Sequence, residues 1–377
     1  MDRTLILPGI SHHHITTGRL TTAYLQAGEG ETPLLLVHGN CASSFFFQDF
    51  MLALARTGRY RIYAPDLRGF GYSERLPINA TRGAREFSDD LAALVHSLDL
   101  PAFHLLGWSL GGNVAIQYAI DYPGMVRSLT LEATGSPFGL GGTRDEDGTP
   151  TWPDFAGSGG GAAAHPEFVQ RLVAQDRGRE RFSPRTILKT LYLSPTCVLP
   201  AEQEEQLLSA MLLTAVGPEH FPGALTTSSH WPLVAPGEKG MNNAFSPKYL
   251  DQRAFLTLQT KPPVLWIHGV HDQIVSDTAA IDFGILGQRG LIPDWPGLAT
   301  YPPQPMNKQI HKFLHTYQEH GGHFQEVVLQ ECGHMPHVEK PEEVLQVLLA
   351  FLGEQEAEKT SEEERNRTCL HIAHNLD

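Results

Sequence analysis

The pentapeptide at residues 107–111, Gly-Trp-Ser-Leu-Gly, constrains this chain more than any other stretch of its sequence. It has the form G-x-S-x-G, with an apolar run before it (residues 103–106) and a helix-like segment after it (residues 112–119). In a strand–turn–helix unit of this kind the serine lies on a sharp turn, and its hydroxyl projects above the sheet as a nucleophile. The pattern therefore predicts that Ser109 is the nucleophile of an enzyme.

Length and composition favour one large α/β enzyme. The chain has 377 residues, of which 41% are hydrophobic, so a sizeable core is available. The formal net charge of -14 argues against nucleic acid and against anionic membrane surfaces as partners. We find no signal peptide, and no apolar stretch approaches the roughly 20 residues needed to span a bilayer. These features predict a soluble, cytoplasmic protein.

The sequence predicts neither a metal ion nor a cofactor. The four cysteines are far apart and show no C-x-x-C spacing, which argues against a disulfide framework and a structural zinc site. Three adjacent histidines at residues 12–14 lie on a predicted strand, where successive side chains alternate and cannot all face one ion. The glycine-rich stretch at residues 157–161 lacks the neighbouring motif that a phosphate loop requires.

Eight short segments have the composition of strands, and most of them alternate with helix-like segments. The strand segments are residues 15–17, 21–26, 33–37, 61–64, 103–106, 128–132, 264–269 and 324–329. Runs that are apolar throughout, such as residues 33–37, are typical of strands buried on both faces. The alternation predicts an α/β fold with a mostly parallel eight-stranded sheet and helices on both faces.

This alternation stops between the sixth and seventh strand segments. Residues 136–161 and 217–247 are loop-rich, whereas residues 166–216 show helical patterns. We interpret residues 136–255 as an inserted, mainly helical cap. The core is then discontinuous and consists of residues 1–135 and 256–377, the last 25 of which (353–377) form a charged tail.

Position along the chain predicts the base that activates Ser109. A serine hydroxyl needs a base within hydrogen-bonding reach, and the base needs an orienting acid. In this architecture the chain order is serine, then acid, then histidine. His334 follows the last strand segment and is the predicted base. His337, three residues later, is the alternative base. We expect it to contact the catalytic residues from outside the site rather than to take part in the chemistry.

Three carboxylates compete for the role of the acid. Asp272 follows the seventh strand segment, where its carboxylate can reach the far nitrogen of His334, and it is the preferred acid. Asp277 is a weaker choice, because it suits the N-terminus of a helix. Glu132 is the stronger rival, because it ends the sixth strand segment, where some enzymes of this architecture carry their acid.

The oxyanion formed during catalysis needs preorganised N–H donors. One predicted donor is the backbone N–H of Leu110, at the start of the helix, where the helix dipole also helps. The other comes from the loop after His38-Gly39, with Asn40 as the first choice and Cys41 as the alternative. Residues 66–73, with an arginine and two glycines, are predicted to support the serine turn rather than to take part in the chemistry.

Together these motifs resemble the α/β-hydrolase superfamily, over about residues 15–135 and 260–352. The loop after His38-Gly39, residues 66–73 and the motif around Ser109 are similar to those of one branch of this superfamily. That branch contains carboxylesterases, meta-cleavage-product hydrolases, epoxide hydrolases and haloalkane dehalogenases. The last two have an aspartate at the nucleophile position, so Ser109 implies acyl chemistry. The long inserted segment and the long stretch between Asp272 and His334 depart from the pattern of this branch.

The preferred prediction is a serine hydrolase that cleaves a carboxylic ester, lactone or thioester of a hydrophobic small molecule through an acyl-enzyme. A C–C bond hydrolase of the meta-cleavage type would use the same residues. The alternative from another class is a non-catalytic small-molecule receptor on the same fold. Eight aromatic residues of the inserted segment predict a largely apolar pocket, and we expect most of the eight to pack in the cap's own core. These are Trp152, Phe155, Phe168, Phe182, Tyr192, Phe221, Trp231 and Phe245.

Overall fold

A computed structural model describes residues 6–161 and 164–355, which are organised around an eight-stranded sheet. The strands are β1 (Ser11–Thr16), β2 (Thr21–Ala27), β3 (Thr32–Val37), β4 (Tyr60–Pro65), β5 (Phe103–Trp108), β6 (Val126–Glu132), β7 (Val216–Gly217), β8 (Phe221–Pro222), β9 (Leu225–Thr227), β10 (Val234–Pro236), β11 (Val264–Gly269) and β12 (Phe324–Leu329). The sheet has the order β1-β2-β4-β3-β5-β6-β11-β12. Strand β2 is antiparallel to β1 and β4, and the other neighbouring pairs are parallel.

Helices connect these strands. They are α1 (Gln48–Ala55), α2 (Arg85–Ser97), α3 (Leu110–Asp121), α4 (Pro166–Val173), α5 (Pro184–Ile187), α6 (Ala201–Met211), α7 (Met241–Ala244), α8 (Phe283–Gln288), α9 (Met306–Glu319), α10 (Pro336–Glu339) and α11 (residues 341–355). Short 3₁₀ turns cover Ser44–Phe47, Ala80–Arg82, Gly159–Gly161 and Arg253–Thr257, and Leu188–Tyr192 is a π-helical turn. No helix in the described part of the chain combines the length and apolar composition required to cross a lipid bilayer.

The central strands send alternate side chains into two apolar cores, one on each face of the sheet. In β3, Leu35 and Val37 join the core that contains residues of α2, α3 and α9. Leu34 and Leu36 join the other core, which contains residues of α1 and α11. A strand that is buried on both faces is therefore apolar at most of its positions. The predicted fold class, a mostly parallel eight-stranded sheet with helices on both faces, is confirmed.

The predicted elements and the observed ones differ mainly where the sequence pattern is weak. The sequence predicts a helix over residues 306–319, and α9 has the same bounds. Helix α8 was not predicted, because it has six residues and two glycines, which lower its helix propensity. Asp282, the N-cap residue that precedes it, accepts a hydrogen bond from Ile285 N through Oδ1 at 3.1 Å. Most of the charged tail, from residue 356 onward, lies outside the described residues.

The segment between β6 and β11 packs against both faces of the sheet. Its Phe138 and Phe245 belong to the core on the α2 and α3 side. Its Phe168 and Met211 belong to the core on the α1 side. The inserted segment (residues 136–255) therefore shares both apolar cores with the sheet and lies over the serine turn.

Candidate active site

Ser109 occupies a strained turn between β5 and α3. Its backbone has φ 56° and ψ −127°, a conformation that residues with a side chain rarely adopt. The turn is tight because two neighbours lack a Cβ atom: a Cβ on Gly107 would lie 2.3 Å from Gly111 O, and one on Gly111 would lie 2.2 Å from Val37 O. Ser109 N also donates to Glu132 O on β6 at 2.8 Å. Neighbouring strands thus hold the serine in this conformation.

The hydroxyl of Ser109 is hydrogen-bonded to a histidine from the far end of the described chain. Ser109 Oγ lies 2.8 Å from His334 Nε2, and His334 Nδ1 lies 2.8 Å from Asp272 Oδ2. The other oxygen of Asp272 accepts hydrogen bonds from the N–H groups of Ile274 and Val275, both at 2.8 Å. With its proton on Nδ1, the imidazole presents an unprotonated Nε2 to the hydroxyl, which is the arrangement that general-base catalysis needs.

Hydrogen bonds hold the main chain of His334 from three sides. Trp108 Nε1 donates to His334 O at 2.6 Å. His334 N donates to Tyr192 O, in the inserted segment, at 2.9 Å. Glu339 Oε1 accepts from the N–H groups on either side of His334, at 3.0 and 3.2 Å. The imidazole is therefore positioned by the core, by the inserted segment and by α10 together.

Sequence reasoning missed these three supporting residues. Trp108 occupies an unrestricted position of the G-x-S-x-G pattern, and Tyr192 was counted only as an aromatic residue of the inserted segment. Nothing local identifies their partners. The role of Glu339 could have been predicted from the sequence, because a carboxylate in the first turn of a helix can accept hydrogen bonds from the free N–H groups that precede it.

Glu132 and His337, the rival acid and the competing base, form a separate pair. Glu132 Oε1 accepts from His337 N at 2.6 Å and lies 2.8 Å from His337 Nδ1. Both side chains are fully buried. Within the described residues, Glu132 Oε2 and His337 Nε2 have no hydrogen-bond partner. The structure thus brings Asp272, and not Glu132, to the Nδ1 atom of His334.

Asp277 lies at the N-terminus of a helix, as its sequence context indicated, but the helix is a distant one. Its Oδ1 accepts hydrogen bonds from Asn307 N at 2.9 Å and from Lys308 N at 3.3 Å, in the first turn of α9. An acidic group there stabilises the free N–H groups and the positive end of the helix dipole. Asp277 is therefore used by α9 and does not contact His334.

A buried histidine fixes the loop that follows β3. Gly39 O can only accept, and Leu67 N–H can only donate, so His38 carries its proton on Nδ1. His38 Nδ1 donates to Gly39 O at 2.7 Å, and its Nε2 accepts from Leu67 N at 2.9 Å. Burial lowers the pKa of His38 to about 4, so the ring is neutral at physiological pH. A Cβ on Gly39 would lie 2.8 Å from Ser109 Cβ, so this loop approaches the serine closely.

The two predicted oxyanion donors border the same cavity as Ser109. Asn40 and Leu110 line that cavity, and within the described residues neither backbone N–H has a hydrogen-bond partner. The N–H of Cys41, the alternative donor, is engaged, because it donates to Asn40 Oδ1 at 3.0 Å. The geometry therefore favours Asn40 over Cys41 as the second donor.

A cavity of about 760 Å³ lies over the serine, between the sheet and the inserted segment. Ser109 and His334 line it together with many apolar side chains, which agrees with the predicted pocket. Five of the eight aromatic residues singled out in the inserted segment line it: Phe168, Phe182, Tyr192, Phe221 and Phe245. The prediction that most of the eight pack in the cap's own core rather than in the pocket is wrong, because more than half of them line the cavity.

Two arginines give this apolar cavity a cationic border. Arg181 and Arg289 line the cavity, are exposed, and form no ion pair within residues 6–161 and 164–355. The Arg181 guanidinium lies 5.0 Å from the centre of the Phe182 ring, which in turn stacks on His165 with ring centres 3.7 Å apart. In a chain of net charge -14, these cations are placed where a ligand anion could meet them.

The three adjacent histidines lie on the edge strand β1 and alternate between its faces. The rings of His12 and His14 are 4.6 Å apart on one face, whereas His13 stacks on Tyr24 on the other. Across the described residues, no group of three or more His, Cys, Asp or Glu side chains is arranged to hold a metal ion.

Comparisons with known proteins agree with this architecture. Residues 32–295 match the family model described as alpha/beta hydrolase fold. The chain is 32% identical over 125 residues to a 2-hydroxymuconate semialdehyde hydrolase of Pseudomonas sp. (strain CF600), a match that covers 33% of this chain and 43% of that protein. It is 34% identical over 111 residues to haloalkane dehalogenase 2 of Mycobacterium tuberculosis (strain H37Rv), with 29% and 37% of the two chains covered.

A solved structure shows the same fold over nearly the whole chain. An esterase from Exiguobacterium antarcticum superposes with a TM-score of 0.57 at 16% sequence identity, and the match covers 91% of this chain and 100% of the esterase. Identity at this level demonstrates a common fold and nothing finer. This chain matches less than half of the length of each of the two curated relatives.

Proposed function

This chain belongs to the alpha/beta hydrolase fold family, an assignment that indicates a hydrolase, and from that premise we propose that it cleaves carboxylic esters through a serine-bound acyl intermediate. The observation that supports this most strongly is the hydrogen-bonded series Ser109–His334–Asp272, with both distances at 2.8 Å. Because nucleophile, base and orienting acid are already in contact, the hydroxyl needs no rearrangement to be activated.

The proposed reaction has two halves. Ser109 Oγ attacks the ester carbonyl while His334 Nε2 takes the hydroxyl proton, and the N–H groups of Asn40 and Leu110 bind the oxyanion. The tetrahedral intermediate collapses, and the alcohol leaves with the proton from His334. Water, deprotonated by His334, then attacks the acyl-enzyme and releases the acid. Asp272 keeps the imidazole in the required tautomer throughout.

We also propose that the inserted segment acts as the cap of this site, with residues 1–135 and 256–377 as the two parts of the core. The cavity beneath the cap is lined mainly by apolar side chains. An apolar small-molecule ester is therefore the proposed partner, rather than nucleic acid or a membrane. The predicted cytoplasmic location stays a prediction.

Substitution of the nucleophile tests this proposal. We expect Ser109→Ala to lower kcat/KM for p-nitrophenyl butyrate by about 10⁵-fold or more and to abolish labelling by a fluorophosphonate probe. Ser136→Ala is the matched control, because Ser136 lines the same cavity but its hydroxyl donates to Gln309 Oε1 at 2.6 Å. Turnover and labelling that survive in Ser109→Ala contradict the proposal. Tight binding of an ester without turnover by the natural chain would indicate a receptor instead.

C–C bond hydrolysis of a dienoate is the second candidate function, and the cationic border of the cavity favours it. The similar Pseudomonas protein is a 2-hydroxymuconate semialdehyde hydrolase. Arg181 and Arg289 line the cavity without an ion-pair partner in the described residues, so they are available to a substrate carboxylate.

A direct comparison of substrates distinguishes the two functions. If C–C cleavage is the activity, an acyl-dienoate is turned over with a higher kcat/KM than p-nitrophenyl esters, and Arg181→Met or Arg289→Met raises its KM. Arg179→Met is the control, because Arg179 is exposed nearby but does not line the cavity. Absence of dienoate turnover alongside efficient ester turnover excludes this second candidate.

A further inference from the structure

Asn242, on α7 of the inserted segment, has a hydrogen-bond donor that no described protein group uses. Asn242 lines the cavity over Ser109 and is 1% exposed. Asn242 Oδ1 accepts a hydrogen bond from Asn40 Nδ2 at 2.7 Å. In the part of the chain that the structure describes, Asn242 Nδ2 is buried and has no partner. Buried donors are nearly always paired, so an unpaired one beside a cavity points to a ligand acceptor.

The orientation of both amides follows from their neighbours. The backbone N–H of Cys41 can only donate, so the Asn40 atom that faces it at 3.0 Å is the oxygen Oδ1. The other terminal atom of Asn40 is then the nitrogen, which donates toward Asn242. Asn242 must therefore present its oxygen to Asn40 and leave its own nitrogen unpaired.

Two other buried asparagines have hydrogen-bond partners for their side-chain nitrogen, as expected of an amide with a structural role. Asn243 uses both ends of its side chain, because its Oδ1 accepts from Gly160 N at 2.8 Å and its Nδ2 donates to two backbone carbonyls. Asn113, which also lines the cavity, has three acceptors around its Nδ2 atom. Asn242 differs from both, because its Nδ2 has no acceptor among the residues that the structure describes.

We propose that Asn242 Nδ2 binds an oxygen atom of the acyl group and selects substrates that carry such an oxygen near the scissile carbonyl. Asn242 is bonded to the side chain of Asn40, and the backbone of Gly39, next to Asn40, packs against Ser109. The free donor therefore lies on the oxyanion side of the nucleophile, one side chain beyond Asn40. An ether, hydroxyl or keto oxygen on the acyl group is the chemical class that suits an amide donor.

This inference rests on the proposed esterase function, and it adds a preference that an apolar pocket alone would not produce. An acyl chain without the oxygen fills the same volume but leaves the Asn242 donor unpaired. The enzyme then discriminates against that chain, because a buried polar group that loses its partner costs free energy in the bound state.

The test compares two esters of equal size, p-nitrophenyl methoxyacetate and p-nitrophenyl butyrate, which differ by an ether oxygen in place of a methylene. Their intrinsic reactivities differ, but that difference cancels when the ratio of their kcat/KM values is compared between variants. Asn242→Leu removes the donor with little change in size. Asn242→Asp keeps an acceptor for Asn40 Nδ2 and replaces the amide donor with a carboxylate oxygen, which repels an acceptor oxygen of the substrate. We expect the methoxyacetate-to-butyrate ratio to fall about tenfold or more in both variants.

Thr190→Val is the control for cavity polarity, because Thr190 lines the cavity and its hydroxyl already donates to Thr186 O at 2.8 Å. Its ratio is expected to match that of the natural chain. An unchanged ratio in Asn242→Asp overturns the inference, even if both esters slow equally, since Asn242 then only positions Asn40. If the natural chain cleaves neither ester, the proposed function fails instead, which is a different result.

Discussion

Two carboxylate–histidine pairs lie close together in this protein and differ in the group that faces the second ring nitrogen of the histidine. In Asp272–His334 and in Glu132–His337, the histidine Nδ1 lies 2.8 Å from a carboxylate oxygen, and all four side chains are buried. His334 Nε2 faces the hydroxyl of Ser109 at 2.8 Å. His337 Nε2 faces no hydrogen-bond partner among the described residues. The group that faces Nε2, rather than the pair itself, therefore separates the proposed base from its neighbour.

The second pair is placed to support the first. The His337 ring packs against Trp108 and Phe47, with ring centres 5.2 and 4.7 Å apart. Trp108 in turn donates to the backbone oxygen of His334. We therefore propose a chemical role for the first pair and a structural role for the second, and a substitution can test each proposal.

Among substitutions in the two pairs, the largest expected effect comes from Asp272→Asn. The amide nitrogen of asparagine would donate to Nδ1 and hold the imidazole in the tautomer with its proton on Nε2, where it cannot accept from Ser109. We expect kcat to fall about 10⁴-fold with the fold retained, as measured with p-nitrophenyl esters and circular dichroism. Glu132→Gln is the matched control and should lose less than about tenfold. Equal losses in the two variants would contradict the division of roles.

Removal of Glu132 should instead act on stability. In Glu132→Ala, the backbone N–H and ring Nδ1–H of His337 lose their common acceptor in a fully buried position. We expect the free energy of unfolding to fall by about 3–5 kcal/mol, measured by urea denaturation. Glu132→Gln retains the accepting oxygen and should lose much less. A Glu132→Ala variant as stable as the natural chain would show that the pair does not support the scaffold.

His38 is another buried histidine, and it differs from His334 and His337 because both of its ring nitrogens form hydrogen bonds with the backbone. Its pKa is lowered to about 4 from 6.5, so as the pH falls the unfolded chain takes up the proton first. The stability that neutral His38 contributes is therefore complete above pH 6.5 and is lost between pH 6.5 and pH 4. At 1.36 kcal/mol per pKa unit, the loss is about 3 kcal/mol at most.

This effect must be measured as a difference between variants. Burial raises the pKa values of Asp66 and Asp282 to about 6, and these carboxyls favour the folded state as the pH falls through the same range. We therefore expect the stability advantage of the natural chain over His38→Gln to shrink from pH 6.5 to pH 4 in urea titrations. An advantage that is constant over this range would contradict a neutral, buried His38.

The smallest predicted effect concerns the contact between the inserted segment and the oxyanion loop. Tyr192 donates its phenol proton to Asn40 O at 2.9 Å. Tyr192→Phe removes this hydrogen bond and leaves the ring packing in place. We expect the stabilisation of the transition state to fall by about 1 kcal/mol, which lowers kcat/KM roughly fivefold. A loss comparable with that of Asp272→Asn would mean that Tyr192 belongs with the first pair rather than with its scaffold.

The sequence by itself determined the fold class and the position of the proposed nucleophile. Both depend on local constraints: apolar runs must be buried on both faces of a parallel sheet, and the glycines around Ser109 permit a turn that other residues would block. The place of His334 after the last strand follows from the same order of elements. These features could be predicted because each depends on neighbours along the chain.

Only the tertiary structure decided which carboxylate meets which histidine. Glu132 ends β6 and Asp272 follows the adjacent parallel strand β11. His334 and His337 are three residues apart, so chain order alone permits either pairing. The choice depends on the path of the His334 loop, which is held by contacts such as Trp108 to His334, 226 residues apart. The free donor of Asn242 has the same origin, since its amide is oriented by Asn40, 202 residues away. Local sequence restricts the backbone, whereas pairings over such separations are set by how the whole chain packs.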